Sequence, residues 1–172
     1  GFIAFMTVVN LRGVKESGLA FAVPTYIFLS LTMITIGVGY YQYFTGNLGM
    51  VTGVAPLHEA TQGITAFLIL RAFSSGCTAL TGVEAISNGI TAFKQPRSHN
   101  AGITLIWMTS ILSVMFFSMT FLARATGTVA SEAQTVFSQI ASVIYGAGTL
   151  PYLALLGSTT LILVMAANTA YA

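Results

Sequence analysis

Long runs without a charged residue constrain this chain more than any other feature. No Asp, Glu, Lys or Arg occurs in residues 17–58, 98–123 or 133–172. A helix needs about 20 consecutive apolar residues to cross the hydrocarbon core of a bilayer. The chain has 55% hydrophobic and 6% charged residues, whereas a soluble domain carries roughly a quarter of charged residues to cover its surface. The sequence therefore predicts an all-α integral membrane protein whose main partner is the lipid bilayer.

The few polar groups favour neither catalysis nor a resident cofactor. The net charge of +2 adds little, and the single cysteine, Cys77, cannot form a disulfide within the chain. No cluster of Cys and His has the spacing of metal ligands. No nucleophile is paired with a base in the same segment. We expect no enzymatic activity, no cofactor and no nucleic-acid partner.

The apolar segments predict one partial and four complete membrane spans. Residues 1–9 are too short to cross a bilayer and are expected to end a helix. The predicted complete spans cover residues 19–44, 63–93, 101–123 and 149–172. Since apolar runs stand at both termini, residues 1–172 are expected to be a fragment of a single transmembrane domain.

Residues 130–145 predict a shorter, amphipathic helix that lies along the protein or the membrane surface. Ser131 and Gln134 have the spacing of a capping box. One face of the predicted helix is apolar and contains Val136, Phe137, Ile140, Val143 and Ile144. The polar residues Ser138, Gln139 and Ser142 are expected to face away from it.

The basic residues predict the orientation of the spans. Arg12 with Lys15 and Lys94 with Arg97 lie in two loops separated by an even number of crossings. Cytoplasmic loops carry an excess of Lys and Arg. We expect both loops in the cytoplasm and the loop at residues 45–62 outside.

Residues 74–84, with the sequence SSGCTALTGVE, are unusually polar for the middle of a span. They contain two glycines, four hydroxyl residues and one carboxyl group. Backbone outside a helix survives in a membrane only where it faces protein or a water-filled cavity. Gly76 and Gly82 would permit such unwinding, and the oxygens that could then replace a cation's water shell belong to Ser74, Ser75, Thr78 and Thr81. Alternatively, the small residues only allow close packing between helices.

Glu84 favours the functional interpretation. A carboxyl group inside a span costs roughly 2–3 kcal/mol unless it is paired, protonated or hydrated. Arg71 is the other ionisable group of this span, but a separation of 13 residues corresponds to about 20 Å along an unbroken helix. A protonatable Glu84 beside an ion site would couple proton movement to ion release.

These residues resemble a known family of transporters. Residues 74–88, SSGCTALTGVEAISN, followed by FKQPR at 93–97, resemble the sixth helix and following loop of permeases of the APC superfamily, and within it the potassium importers of the KimA type. Residues 10–17 resemble the loop between helices four and five, and residues 167–171 resemble part of helix eight. The resemblance implies a LeuT-type fold of two inverted five-helix repeats, of which this chain would hold the end of helix four through most of helix eight.

The resemblance implies proton-coupled import of potassium, with the potassium ion and the proton as the transported species. Thr81 would help to coordinate the ion and Glu84 would take part in proton coupling. The candidate site is completed by Ser75, Gly76, Thr78 and Gly82. The resemblance further implies a multi-pass protein of the bacterial plasma membrane, and it leaves a homodimer of the full-length parent open.

Two other functions remain open from the sequence. Amino-acid permeases share the motif, and in them the unwound glycines meet a substrate carboxylate, so the substrate is either a small cation or an amino acid. A non-transporting membrane sensor or assembly subunit would keep the fold without the activity. Glu84 argues against this last interpretation, since an idle carboxyl group inside a span is costly.

Overall fold

The computed structural model describes residues 14–55, 65–77 and 81–168, and within them all side chains except those of residues 14–21, 81, 85, 88, 92, 167 and 168. Regular structure in these ranges is helical. The helices are α1 (Val14–Phe44), α2 (Ala66–Gly76), α3 (Thr81–Asn88), a 3₁₀ turn at Ile90–Ala92, α4 (Arg97–Thr126), α5 (Val136–Tyr145) and α6 (Leu150–Asn168). The chain divides into two compact units. The first unit consists of residues 1–57 and 118–172, and the second consists of residues 58–117.

Two described helices are long and apolar enough to cross a membrane, at Ala22–Phe44 and Arg97–Thr126. The core helix of a soluble protein can have the same length and composition, but it is mostly buried. Here only 22% and 11% of the most apolar windows of these two helices are buried. Their uncovered apolar surface is what lipid requires, since lipid tails are as apolar as the side chains that face them.

Helix α1 begins earlier than the sequence predicts. Residues 10–17 were expected to form a loop, yet the helix starts at Val14 and includes Lys15 and Glu16. Lys and Glu are good helix formers, so the helix extends beyond the apolar stretch into the polar flank. Hydropathy therefore locates the membrane-embedded part of this helix rather than its first residue.

Helices α1, α5 and α6 form the packed core of the first unit, and each of them contacts the other two. The final part of α4 also belongs to this unit. The buried apolar side chains of the unit are Ile36 of α1, Leu122 of α4, Ile140, Ala141 and Ile144 of α5, and Leu155 of α6.

The closest approach in this core occurs at Gly39 of α1. A Cβ atom built there would lie 2.9 Å from Cδ1 of Ile144 and 2.9 Å from Cδ1 of Leu122. Such distances are shorter than van der Waals contact, so a side chain at position 39 would force the ends of the Ile144 and Leu122 side chains to shift. The absence of a side chain thus lets three helices meet at one point.

Aromatic rings join the C-terminal ends of α1 and α4. The ring of Tyr40 stacks on that of Phe121 with centroids 5.4 Å apart, and Tyr43 meets Phe121 edge-on at 4.9 Å. Phe44 contacts both tyrosines, with ring centroids 6.4 and 5.6 Å away. This ring cluster fixes the two helix ends beside one another.

Helix α5 is shorter than the predicted amphipathic helix and begins at Val136 rather than at residue 130. Ser131 does not cap it, because its Oγ accepts a hydrogen bond from the N–H of Ala133 in a local turn. Thr135 is the N-cap instead, with its hydroxyl oxygen accepting from the N–H of Ser138. The predicted capping box was therefore wrong, and a residue nearer the helix provides the cap.

The polar side of α5 was expected from the sequence to face away from the protein, but the structure buries part of it. Gln139 is fully buried, and Ser138 is 8% exposed. The amide of Gln139 accepts a hydrogen bond from the N–H of Val129 and donates to the carbonyl oxygens of Val129 and Gln134. The hydroxyl of Ser138 shares a hydrogen bond of 3.0 Å with that of Tyr152. Both buried side chains therefore have hydrogen-bond partners within the protein, which offset the cost of removing them from water.

Two side chains of α1 hold the C-terminal end of α5. Nε2 of Gln42 donates to the carbonyl oxygen of Ile144, which lies in the last turn, where helix carbonyls lack partners within the helix. The hydroxyls of Thr35 and Tyr145 lie 3.1 Å apart. Since Thr35 already donates its single hydroxyl hydrogen to the carbonyl of Leu31, Tyr145 donates to Thr35. The short helix is therefore fixed to α1 by polar as well as apolar contacts.

We predict that Gly39→Ala destabilises the full-length protein by about 1–3 kcal/mol, because the added methyl group overpacks the core. Gly37→Ala is the matched control, since nothing lies within 4 Å of a Cβ built at that position. The control should be neutral or stabilising by up to about 1 kcal/mol, because Ala favours helix more than Gly does. Thermal unfolding in detergent measures both, and equal stabilities of the two variants would refute the close approach.

We also predict that Gln139→Leu destabilises the full-length protein by roughly 2–5 kcal/mol, because it leaves three backbone groups without partners. Gln134→Leu provides the control: the side chain of Gln134 is exposed, and only its carbonyl oxygen takes part in the network. The control should change stability by less than about 0.5 kcal/mol. A Gln139→Leu protein that unfolds at the temperature of the control would contradict the buried network.

Candidate functional site

Helix α2 carries the first part of the candidate site and has well-defined ends. Thr65 is its N-cap, and its hydroxyl oxygen accepts from the N–H of Leu68. The helix ends at Gly76, and Cys77 follows with an N–H that points back to the carbonyls of Phe73 and Ser75. The candidate residues Ser75 and Gly76 thus lie in the last turn of α2, where a helix presents its carbonyl oxygens.

Helix α3 carries the second part of the site and begins at Thr81. Gly82 is its second residue, and Glu84 lies in its first turn, where the helix dipole favours a negative charge. The side chain of Thr81 is outside the described residues, as is the whole of Thr78. The roles of all the candidate site residues stay predictions.

The two glycines that were expected to permit unwinding lie at the ends of the two helices. Gly76 is the last residue of α2 and Gly82 is the second residue of α3. Neither is among the described glycines with positive φ, which are Gly46, Gly53, Gly127, Gly146 and Gly148. Their contribution is the absence of a side chain: space is open around Gly76, whereas a Cβ at Gly82 would meet Met108 of α4.

The lengths of α2 and α3 are those of half-spans. Helix α2 has 11 residues and α3 has 8, which correspond to about 16 and 12 Å of helix. A hydrocarbon core about 30 Å thick is longer than either. The predicted span at residues 63–93 is therefore divided among two α-helices and a 3₁₀ turn, with the end of one α-helix and the start of the next carrying the candidate residues.

The candidate site is open on the side of α2. Every side chain of this helix is exposed, and none of its residues is buried. Phe67 and Phe73, for example, are 74% and 71% exposed. Glu84 of α3 is exposed as well. Oxygen donors that would enclose an ion must therefore be supplied in part by elements other than the described helices.

The available groups suit a monovalent cation or a carboxylate better than a transition metal. Hydroxyl and carbonyl oxygens at the end of α2 can replace the hydration shell of a cation, whereas the N–H groups at the start of α3 suit an anion. Within residues 14–55, 65–77 and 81–168, no group of three or more His, Cys, Asp or Glu could hold a metal ion.

Sequence reasoning missed the contact of the site with α4. The sequence assigns no functional role to Met108, but its Sδ and Cε atoms lie 3.5 Å from a Cβ built at Gly82. No local pattern signals this contact, because residues 82 and 108 lie on helices separated by the basic loop. The loop itself is closed by Asn100, whose side-chain amide donates to the carbonyl of Lys94.

The described residues form a helical protein in which two helices are long and apolar enough to cross a membrane. Two long, little-buried apolar helices accompany a pair of half-length helices that carry hydroxyl and carboxyl groups. Over 169 residues, or 98% of its length, the chain is 44% identical to the potassium transporter KimA of Bacillus subtilis (strain 168). The chain spans 28% of the length of that protein. No protein-family model matches the chain.

If the end of α2 faces water in the full-length protein, its polar side should react with water-soluble thiol reagents. We predict that Ser75→Cys, in a Cys77→Ser background, reacts at least about tenfold faster than Ile69→Cys, because thiolate formation requires water. Ile69 lies on the same helix and is 59% exposed in this chain, so it controls for the helix itself. Equal labelling rates in intact membranes would exclude an aqueous path at Ser75.

Proposed function

We propose that the chain forms part of a secondary transporter that imports potassium across the plasma membrane in a process coupled to protons. The observation that carries this proposal is the 44% identity over 169 residues to a potassium transporter. The aligned region covers 98% of the chain and therefore includes both half-helices. The transported species are the potassium ion and the proton.

In this proposal the potassium ion binds where α2 ends and α3 begins. The carbonyl and hydroxyl oxygens of Ser75, Gly76, Thr78 and Thr81 replace part of its hydration shell. The oxygen dipoles stabilise the monovalent cation although these four residues carry no negative charge. Binding is therefore weak enough for the ion to leave again. Gly82 keeps the first turn of α3 free of a side chain near the ion.

Glu84 supplies the coupling to protons. Its carboxylate lies in the first turn of α3, within one helical turn of Thr81. Electrostatic attraction favours potassium binding when Glu84 is ionised, and protonation removes that attraction. In this way Glu84 couples the movement of protons to the release of the ion.

The proposal includes the architecture of the full-length protein. The described helices would correspond to helices five to eight of a LeuT-type fold in a multi-pass bacterial plasma-membrane protein, with α2 and α3 as the two halves of helix six. The exposed surface of α2 would then be covered by helices outside this chain. Alternating access by such a fold requires that the half-helices face each side of the membrane in turn.

Potassium uptake by the full-length protein in a strain that lacks potassium uptake tests the function. We expect Thr81→Ala to lower uptake at limiting potassium at least about tenfold, because it removes an oxygen ligand, and Thr81→Ser to retain most of it. Glu84→Gln should abolish the dependence of uptake on external pH. Glu132→Gln, which alters an exposed carboxylate between α4 and α5, should leave uptake and its pH dependence unchanged.

The outcomes separate the parts of the proposal. No potassium uptake by the wild-type protein, with the protein present in the membrane, would refute potassium transport. Uptake of a labelled amino acid by the same cells would then favour an amino-acid permease. Potassium uptake that stays pH-dependent in Glu84→Gln would refute the coupling role of Glu84 alone.

A further inference from the structure

The side chain of Met108 covers the start of α3. A Cβ atom built at Gly82 would lie 3.5 Å from both Sδ and Cε of Met108, which is ordinary van der Waals contact. The end of this side chain therefore lies against the backbone of Gly82. Its neighbours Val83 and Glu84 are exposed, whereas Gly82 is half-buried, so the contact is made where the first turn of α3 is covered.

Met108 lies on the same side of α4 as the buried residue Ala101. Ala101, seven residues earlier, is buried with 4% exposure, and residues seven apart lie on nearly the same side of a helix. Met115, a further seven residues on, is half-buried like Met108. Met108 therefore faces the protein, whereas the exposed aromatic side chains of α4 do not.

The chemistry of methionine suits a contact with backbone better than a role as an ion ligand. A thioether sulfur is a soft, weak acceptor, whereas potassium prefers hard oxygen ligands. The unbranched side chain has three rotatable bonds and follows irregular surfaces. It can therefore remain in contact with a backbone segment that changes its position.

We propose that Met108 is a positioning residue of the ion site, a role that rests on the proposed function. By packing beside Gly82, it fixes the first turn of α3 and thereby the position of Glu84 relative to the ion. Gly82 is the matching partner, because a Cβ at position 82 would come into van der Waals contact with the thioether of Met108.

The first test compares Met108→Ala, Met108→Leu and Met115→Ala in the full-length protein. Met108→Ala should raise the Km for potassium uptake at least about threefold while the maximal rate changes less, because the ligands lose their orientation. Met108→Leu, which conserves volume, should retain the wild-type Km. Met115→Ala should also retain it. Equal Km values for Met108→Ala and Met115→Ala, or failure of Met108→Leu to restore the Km, would overturn the positioning role.

The second test measures the contact without transport. Thermal unfolding midpoints of the purified full-length protein are compared for Gly82→Ala, Met108→Ala and the double variant. Because the added methyl group at position 82 points at the thioether, the two changes should be non-additive. Additive shifts would overturn the contact and with it the inference. Non-additive shifts in a protein that does not transport potassium would leave the contact in place but refute both the proposed function and the positioning role.

Discussion

Every backbone N–H and C=O of a chain in hydrocarbon needs a partner within the protein, because water is absent and each unpaired group costs several kcal/mol. Helices α1 and α4 meet this requirement over 31 and 30 residues. The end of α4 is closed by a neighbouring segment, because the N–H of Val51 donates to the carbonyl of Thr126, and Gln42 of α1 closes the end of α5 by donating to the carbonyl of Ile144. In segments that do not form long helices, the backbone N–H and C=O groups must find partners outside the helix. Such segments can therefore bind a ligand.

The half-length helices α2 and α3 follow from the same requirement. Two helix ends inside a predicted span present carbonyl and N–H groups that only a ligand, protein or water can satisfy. The sequence supplies Ser75 and Glu84 there, while the apolar surface of α2 remains exposed in this chain. In the proposed transporter, these polar groups would form one side of the ion site, and the uncovered surface of α2 would face other parts of the protein.

The sequence predicted the helices better than it predicted their contacts. Uncharged runs located the apolar part of α1 and of α4, because burial in lipid requires length and apolarity alone. The polar face of α5 was wrongly interpreted, since Gln139 is satisfied by the backbone at Val129, and backbone partners leave no trace in a side-chain pattern. For the same reason the sequence revealed the polar residues around Glu84 but not Met108, which approaches Gly82 from a different helix.

The ring cluster of Tyr40, Tyr43, Phe44 and Phe121 has a consequence for how the protein responds to its membrane. Tyrosine rings favour the headgroup level, where one edge is wet and the other apolar. Because the rings of α1 and α4 contact one another, these helices are held at a common depth. A thinner or thicker bilayer changes the tilt of helices at a cost of fractions of a kcal/mol per ångström. Such a change would alter the tilt of α1 and α4 together. A change in lipid composition would therefore affect the packing of the protein core through these two helix ends.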